Sequence, residues 1–408
     1  MIDVLLPILG VLFALKWRQF STHKFYLYIF GFGVYVFITM LINHREDQLR
    51  DYFEIFKLFK FAFVVGLFSL TNPLNFSSRW IPPLFVILVI LNLIHFFELF
   101  GFNELLKEYY QAGERIDSFG KNSLGFPAFK RLLGTVCNPN NNGLLFSFML
   151  AYFLPSAIKT RSKHTWFFVF LSILMILLSQ SRTGLICLAA VISIASFLFL
   201  KYQWKRILLL IALAASAYTV SYSLIRLDFQ FRKENPSALI DLVEYKKFQE
   251  SRPENGSEST YLNTFIDGTA FNSNSVQGRI SIWKHIWSMV KKKPLFGHGP
   301  NKDYFYKNNL YAESQYFSIL WRYGFIGLIC FLFLLLYLMK IGLKNRDKLS
   351  NQTLILGTLT MAIGSLTNNP FDHQTLLFVF AGIIGLAFAE NNLIESKNEE
   401  SIQPNNSL

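Results

Sequence analysis

Arg182 interrupts two long apolar runs with almost no loop between them, in the sequence Leu-Ser-Gln-Ser-Arg-Thr-Gly at residues 178–184. If these runs span a membrane, a charge there costs about 2.5–3.5 kcal/mol and is a candidate functional residue. The arginine fork is permanently charged and matches phosphate oxygens. We therefore predict an anion site at Arg182, strengthened by free N–H groups if a helix begins there. The alternative is an arginine that only reaches toward the lipid head groups.

Arg279 and Glu313 are two further candidates for chemistry. Arg279 follows Gly278 and opens a stretch with helical spacing, where the start of a helix would favour an anion. Glu313 directly precedes another apolar run, and a carboxylate at such a boundary can act as a general base. The corresponding alternatives are a solvated loop arginine and an acid that complements a helix dipole.

Polar residues near these charges are candidates for binding substrate, namely Asn138, Asn140, His298 and Tyr316. The two asparagines belong to Asn-Pro-Asn-Asn-Asn-Gly at residues 138–143. Asparagine amides can hydrogen-bond sugar hydroxyls, but asparagine can also cap a helix after a turn that Pro and Gly fix. His298 lies in Phe-Gly-His-Gly-Pro and is incidental on its own.

The elements that must position these residues are apolar segments. Of the 408 residues, 52% are hydrophobic and only 16% are charged, whereas an average soluble domain carries about 25% charged residues. One soluble core could not bury so much apolar surface, so the bilayer must be part of the solvent. The apolar segments lie at residues 2–15, 24–42, 54–70, 81–98, 142–158, 165–180, 182–200, 206–225, 314–339, 352–368 and 373–389.

These segments predict an all-α polytopic membrane protein with about eleven transmembrane helices, because most approach the roughly 20 residues that a span needs. The first segment is short, has no basic region before it and is predicted to be retained rather than cleaved. The third segment is unusual because it contains Glu54, Lys57 and Lys60. The predicted parts are a bundle at 1–225, a large loop at 226–313, further spans at 314–390 and a disordered tail at 391–408.

Lysine and arginine residues predict the orientation of these helices, because cytoplasmic loops are rich in them. Placing the loop at 16–23 inside puts the basic connections near 79, 159–163, 201–206 and 340–348 on the same side. The N-terminus and the large loop are then extracytoplasmic, and the tail is cytoplasmic. This rule accounts for much of the net charge of +13, so no nucleic-acid partner is expected.

Within the large loop, Trp283, Ile286, Trp287 and Val290 have the spacing of one helical face. They predict a short amphipathic helix near 279–293. Such a helix either lies at the membrane interface or packs on the protein's own surface, and the sequence leaves both arrangements open.

Several common motifs are absent from the sequence. There is no P-loop, no dinucleotide-binding glycine pattern, no His-Glu-x-x-His and no Asp-x-Asp. The cysteines, Cys137, Cys187 and Cys330, are spaced for neither a disulfide frame nor a zinc site. We therefore expect no cofactor and no metal site, and an ATP-driven pump is not supported.

Four motifs, taken together and in order, resemble the O-antigen polymerase and O-antigen ligase superfamily of bacterial surface-polysaccharide assembly. They span about residues 138–330. They are Asn-Pro-Asn-x-x-Gly at 138–143, Leu-Ser-x-Ser-Arg-Thr-Gly at 178–184, Gly-Arg at 278–279 with Trp283 and Pro-Leu-Phe-Gly-x-Gly at 294–299, and a polar residue, here Glu313, before a helix with Gly-Phe-Ile-Gly at 324–327.

The resemblance implies a metal-independent, inverting glycosyl transfer from an undecaprenyl-diphosphate-linked oligosaccharide at the extracytoplasmic face of the bacterial inner membrane. Family arginines hold the diphosphate, which implies this role for Arg182 and Arg279. Ligase members typically have histidine where this chain has Glu313. This departure favours a repeat-unit polymerase, for O-antigen or capsule, with Glu313 as the base. Membrane lipid and a chain-length regulator protein are the other candidate partners.

Two other functions remain open at this stage. The first is an O-antigen ligase that transfers finished polysaccharide to lipid A-core. The second is a transporter of lipid-linked oligosaccharides, which should show charged or broken helices near the bilayer midplane and a two-fold repeat. The sequence shows no internal repeat.

Overall fold

The structure is a computed structural model, and it describes residues 24–43, 49–71, 79–97, 99–102, 131–136, 138–199, 204–234, 274–301, 304 and 312–402. All regular secondary structure in these ranges is helical. The α-helices within them are α1 (Lys24–Ile42), α2 (Leu49–Ser69), α3 (Ile81–Phe96), α4 (Pro139–Thr160), α5 (Lys163–Leu178), α6 (Arg182–Phe199), α7 (Trp204–Glu234), α8 (Asn274–Val290), α9 (Gln315–Lys344), α10 (Leu349–Thr367) and α11 (Gln374–Ile402). Short 3-10 helices lie at Leu99–Gly101, Gly134–Val136 and Pro370–Asp372.

The class of polytopic helical membrane protein is confirmed, and the predicted apolar segments coincide with helices wherever the structure describes them. Segment 2–15 lies outside the described residues. Within the described part, five helices are long and apolar enough to cross a membrane: Lys24–Ile42, Pro139–Thr160, Trp204–Leu227, Gln315–Lys344 and Gln374–Leu393. Helices α3, α5 and α6 are shorter and apolar. The total of eleven spans, like the division of the chain into domains, stays a prediction.

Helix α11 continues to Ile402, through residues that composition predicted to be disordered from Asn391 onward. Side chains at this boundary bind neighbouring helices. The Asn391 Oδ1 atom accepts hydrogen bonds of 2.9 Å from the amides of both Asn345 and Asn351. The Glu390 carboxylate accepts a 2.9 Å bond from the backbone N–H of Ser350. These contacts hold the beginning of the expected tail in helical register.

The chain divides into two compact units, which we call the terminal unit (residues 1–82 and 282–408) and the middle unit (83–281). In the middle unit α4 is largely buried and packs against α5 and α6, whereas α7 exposes most of its apolar surface. Helices α4 and α6 approach closely, because a Cβ atom added at Gly184 would lie 3.2 Å from the Gly143 Cα atom. Small residues at such a crossing let helix backbones pack tightly in a membrane.

In the terminal unit α2 packs against α1 and α11, and α10 packs against α9 and α11. Aromatic rings fill much of the space between these helices. The Phe61 ring lies against Phe25, Phe371 and Phe380, with ring centroids 6.0–6.3 Å apart. Phe25 and Phe380 are fully buried, so this group of rings lies in the core of the unit.

Helix α9 is broken at Gly324, which has φ 63° and ψ −165°. A break at membrane depth frees backbone groups that lipid cannot satisfy. Here the loop after α8 satisfies them: the His298 N–H donates to the Trp321 carbonyl at 2.9 Å, and the Phe325 N–H donates to the Pro294 carbonyl at 2.8 Å. The loop after α8 therefore forms hydrogen bonds to both parts of α9, Gln315–Tyr323 and residues 325–344, across the break.

Glycine is required on both sides of this junction. A Cβ atom at Gly324 would lie 2.2 Å from the Leu295 carbonyl oxygen, and one at Gly297, which has φ +64°, would lie 2.5 Å from the Gly324 nitrogen. The Tyr35 hydroxyl also donates to the Tyr323 carbonyl at 2.6 Å. The motifs at 294–299 and 324–327 are thus two sides of one backbone junction.

Replacing Gly324 with alanine should destabilise the protein by about 2 kcal/mol or more, because the new methyl group meets backbone in a left-handed conformation. The measurement is thermal unfolding of purified protein in detergent. Gly31→Ala is the matched control, since nothing lies within 4 Å of a Cβ atom there, and a helical alanine should be neutral or stabilising by up to about 1 kcal/mol. Equal melting temperatures for the two variants would contradict the described junction.

Candidate functional site

Glu313 lies just before α9 in a backbone conformation that residues other than glycine rarely adopt, with φ +43°. Its own side chain is partly buried, while Ala312 and Ser314 on either side are 1% and 2% exposed. A non-glycine residue persists in such a conformation only where its surroundings fix it, and such residues cluster at functional sites. Glu313 is therefore a residue whose backbone is held in one conformation by its neighbours.

Helix α8 fixes the backbone on the N-terminal side of Glu313. The Trp283 indole N–H donates to the Ala312 carbonyl at 2.6 Å, and its ring stacks on Phe317 with centroids 5.0 Å apart. Ile286 on the same face of α8 is fully buried. Of the two arrangements open for this amphipathic helix, the structure shows this face packed on the protein's own surface.

Helix α10 and the segment after it fix the other side. The Ser314 hydroxyl donates to the Ser365 carbonyl at 3.3 Å, and the Gln315 N–H donates to the Asn368 carbonyl at 2.9 Å. At the next residue, the Tyr316 hydroxyl donates to the Ala362 carbonyl at 2.8 Å. Tyr316, a predicted substrate-binding residue, thus joins α9 to α10, and its contact with substrate stays a prediction.

His298 is also engaged within the fold. One of its ring nitrogens lies 3.0 Å from the Met289 carbonyl oxygen, and its ring stacks on Trp321 with centroids 5.4 Å apart. Its backbone N–H is one of the donors that satisfy the break in α9. These contacts give His298 a structural role, and its predicted contact with substrate stays a prediction.

Arg182 is the first residue of α6, as the anion-site prediction required, and its side chain is exposed. The preceding turn is tight, with Gln180 at φ +47°. The Ser181 hydroxyl accepts a 3.1 Å bond from the Gly184 N–H and thereby caps the helix. An arginine at the positive end of a helix dipole is a favourable arrangement for a phosphate group.

Arg131 supports this turn and is a residue that sequence reasoning missed. Its guanidinium donates to the carbonyls of Ser179 and Gln180 and to the Asn140 side chain, each at 3.2 Å. The Asn140 Oδ1 atom also accepts a 3.1 Å bond from the Ser181 hydroxyl. Arg131 and Asn140 thus join the motif at 138–143 to the motif at 178–184.

Asn138 is the N-cap of α4. Its side-chain oxygen accepts bonds of 2.9 Å and 3.1 Å from the backbone N–H groups of Asn140 and Asn141. Capping is the alternative that the sequence left open for this residue, and its contact with substrate stays a prediction. The bond between Asn140 and Ser181 brings the first turns of α4 and α6 together, so two positive helix ends share one region of the middle unit.

Arg279 lies within α8, but its side chain is outside the described part of the structure. Arg182 and Arg279 belong to the middle unit and Glu313 to the terminal unit. The prediction that these three residues line one cavity therefore stays a prediction.

The structure also brings together four charged residues whose side chains are only 2–16% exposed, which we call the buried network: Glu54, Lys57, Arg322 and Asp372. The Lys57 ammonium lies 2.6 Å from the Glu54 carboxylate and 3.0 Å from that of Asp372. The Arg322 guanidinium lies 3.3 Å from Asp372 and 3.8 Å from Glu54, and its side chain is 2% exposed. The sequence signal was present as charges inside apolar segments, but Glu54 and Lys57 were read only as unusual features of a span.

The described helices, with balanced charges buried among them, define a multi-pass helical membrane protein. Residues 167–332 match the family model described as O-Antigen ligase. The match confirms the resemblance to the O-antigen ligase and polymerase superfamily, and the matched segment contains Arg182, Arg279 and Glu313. No curated protein matches the chain.

Replacing Arg131 with methionine should destabilise the protein by about 1–3 kcal/mol, because the carbonyls of Ser179 and Gln180 lose a charged donor. Thermal unfolding in detergent measures the loss. Lys163→Met is the control, because this exposed lysine lies in the first turn of α5, where a positive charge opposes the helix dipole. A melting temperature for Arg131→Met equal to that of the control would argue against the support of this turn by Arg131.

Proposed function

We propose that the protein is a membrane glycosyltransferase that polymerises the repeat units of an O-antigen or capsular polysaccharide at the extracytoplasmic face. It transfers an undecaprenyl-diphosphate-linked glycan to a hydroxyl group of a lipid-linked acceptor sugar. The observation that carries the proposal is Glu313, a carboxylate held at φ +43° before α9 inside the segment that matches the family. Ligase members of the superfamily that the chain resembles typically have histidine at this position.

In the proposed reaction, the acceptor hydroxyl oxygen attacks the anomeric carbon of the donor sugar. The bond from that carbon to the diphosphate oxygen breaks, and the diphosphate leaves with the bonding electrons. The Glu313 carboxylate takes the hydroxyl proton, and a general base of this kind contributes about 10²–10⁴-fold to the rate. Because attack comes from the face opposite the diphosphate, the configuration at the anomeric carbon is inverted.

Arg182 and Arg279 hold the diphosphate in this proposal. Negative charge grows on the leaving diphosphate, and positioned guanidinium groups stabilise it most strongly in the transition state. Arg182 has additional support, because it begins α6 and the helix end also attracts an anion. The two arginines would do the work that a metal ion does in many soluble glycosyltransferases.

An O-antigen ligase is the second candidate function, because the matching family model carries that description. The two activities share the donor and differ in the acceptor. A polymerase extends the lipid-linked chain, whereas a ligase moves the finished chain to lipid A-core. Glu313, in place of the typical histidine, supports the polymerase.

A lipid-linked oligosaccharide transporter is the third candidate. Helix α9 is broken at Gly324, two residues after the buried Arg322. Broken helices and buried charges are features of transporters. A transporter moves its substrate unchanged, so product analysis separates it from both enzymes.

Purified protein in liposomes, given an undecaprenyl-diphosphate oligosaccharide and a metal chelator, should form a ladder of longer lipid-linked products. Glu313→Gln should lower the rate by about 10²-fold or more, because the base is lost. Arg182→Lys should also lower it strongly, because lysine cannot make the two parallel bonds of the arginine fork. Lys163→Met is the control and should match the unmodified protein.

Each contrary outcome removes one part of the proposal. Full activity of Glu313→Gln would remove the base, and full activity of Arg182→Lys would remove the two-point contact with diphosphate. Substrate that crosses the liposome membrane while no product forms would favour the transporter over both enzymes.

Cells that lack the protein should separate polymerase from ligase. Loss of a polymerase leaves single repeat units attached to the cell-surface acceptor, because ligation still occurs. Loss of a ligase leaves long chains on the undecaprenyl carrier. Electrophoresis of the two glycolipid pools measures the difference, and long carrier-bound chains would count against the polymerase.

A further inference from the structure

We propose that the buried network positions Glu313, with Asp372 and Arg322 as positioning residues for the base. This inference rests on the proposed function, because it assigns the network a role in the same reaction. The network's charges come from three separate segments: Glu54 and Lys57 from α2, Arg322 from α9, and Asp372 from the 3-10 helix Pro370–Asp372. The two negative carboxylates and the two positive side chains balance one another, so the network is neutral overall.

Because the cluster is neutral and largely shielded, it is a poor site for a charged ligand. It is better suited to holding the segments that carry its residues in one arrangement. The positive groups already contact both carboxylates at 2.6–3.8 Å. Buried ion pairs of this kind contribute little net stability over apolar residues, but removing one partner leaves an uncompensated buried charge. Their best-attested use is to select one arrangement of the surrounding elements.

Asp372 is connected to Glu313 through Gln315. The Gln315 side-chain oxygen accepts a 3.1 Å bond from the Phe371 N–H, and the Gln315 N–H donates to the Asn368 carbonyl at 2.9 Å. Residues 368–371 therefore hold the backbone two residues after Glu313. Asp372 in turn anchors residues 368–371 to Arg322 and Lys57.

Arg322 lies on the same short piece of α9, Gln315–Tyr323, whose first residue follows Glu313 by two. Because α9 is broken at Gly324, the regular hydrogen bonds of the helix do not fix this piece relative to the longer part that follows. Its position depends on side contacts, and Arg322 supplies a charged one at its C-terminal end. Residues 368–372 thus contact the piece at both ends, through Gln315 at the first and through Arg322 at the second. At the second end the bonds to the Trp321 and Tyr323 carbonyls act together with Arg322.

There is also space into which this piece could shift. A partly open pocket of about 60 Å³ is lined by all four network residues and by Gln315. Without the Asp372 charge, Arg322 keeps the longer contact of 3.8 Å with Glu54 in place of the shorter one. The base would then lose its fixed place relative to the acceptor hydroxyl.

A double-mutant cycle in the liposome assay tests the inference. Asp372→Asn keeps the shape of the side chain and removes its charge, so turnover should fall by about 10²-fold, the size of effect that a misplaced catalytic group produces. The KM for the donor should change little. In the Glu313→Gln background the same substitution should lower the residual single-turnover rate by no more than about twofold, because the base is already gone. Asp347→Asn, at an exposed acid, is the control in both backgrounds.

Arg322→Lys is the second variant, for the case in which Asp372→Asn fails to fold. It keeps the positive charge, so it should fold and retain more turnover than Asp372→Asn. Its loss of turnover should again be smaller in the Glu313→Gln background. An equal loss of turnover in the Glu313 and Glu313→Gln backgrounds, for either variant, would overturn the inference, because a purely structural role does not depend on the base.

Cysteine labelling separates failure of this inference from failure of the proposed function. In a chain whose native cysteines are replaced by alanine, Glu313→Cys should react with a membrane-impermeant maleimide at a different rate once Asp372→Asn is added. Lys292→Cys, at an exposed position, should not change. A changed rate at position 313, together with no ladder from the protein that keeps Glu313, would uphold the positioning and count against the polymerase. An unchanged rate at position 313 would overturn the positioning whatever the activity.

Discussion

The terminal unit depends on one constraint, namely that every backbone group freed by the break at Gly324 must find a partner without water. The loop after α8 meets this requirement by hydrogen bonds to Trp321 and Phe325. Because the fit is between backbones, it needs glycine at both Gly297 and Gly324. The loop, the break and the short piece of α9 before it therefore form one inseparable structure, and Glu313 lies at its edge.

Two kinds of interaction meet around this piece of helix. On one side, aromatic packing and a single indole hydrogen bond from Trp283 hold the residue before Glu313. On the other side, backbone and amide bonds to residues 365–371 hold the residues after it. Together they keep Glu313 at φ +43°, a conformation that is costly for a residue with a Cβ atom. In the middle unit, contacts from a distant residue likewise hold the turn before Arg182, where Arg131 donates to the carbonyls of Ser179 and Gln180.

Much of the helical framework was predictable, because apolar runs carry a direct signal of length. Helix α1 has the predicted ends, and α6 begins at the charge that interrupts two runs. The break in α9 was not predictable, since the apolar pattern continues through Gly324. Arg131 was missed because it binds carbonyls about fifty positions away in the chain, a contact that side-chain types do not encode. The buried network was visible only as isolated charges, because its partners Glu54, Arg322 and Asp372 are far apart in sequence.

The indole hydrogen bond of Trp283 makes the long segment before α9 a mechanical part of the site. Helix α8 lies within that segment, and the indole N–H of its Trp283 donates to the carbonyl of Ala312, next to Glu313. A displacement of α8 at Trp283 therefore acts on the backbone next to Glu313 through this hydrogen bond and through the stacking of Trp283 on Phe317. Changes in α8 and changes around Glu313 are therefore coupled, although the two lie about thirty positions apart in the chain.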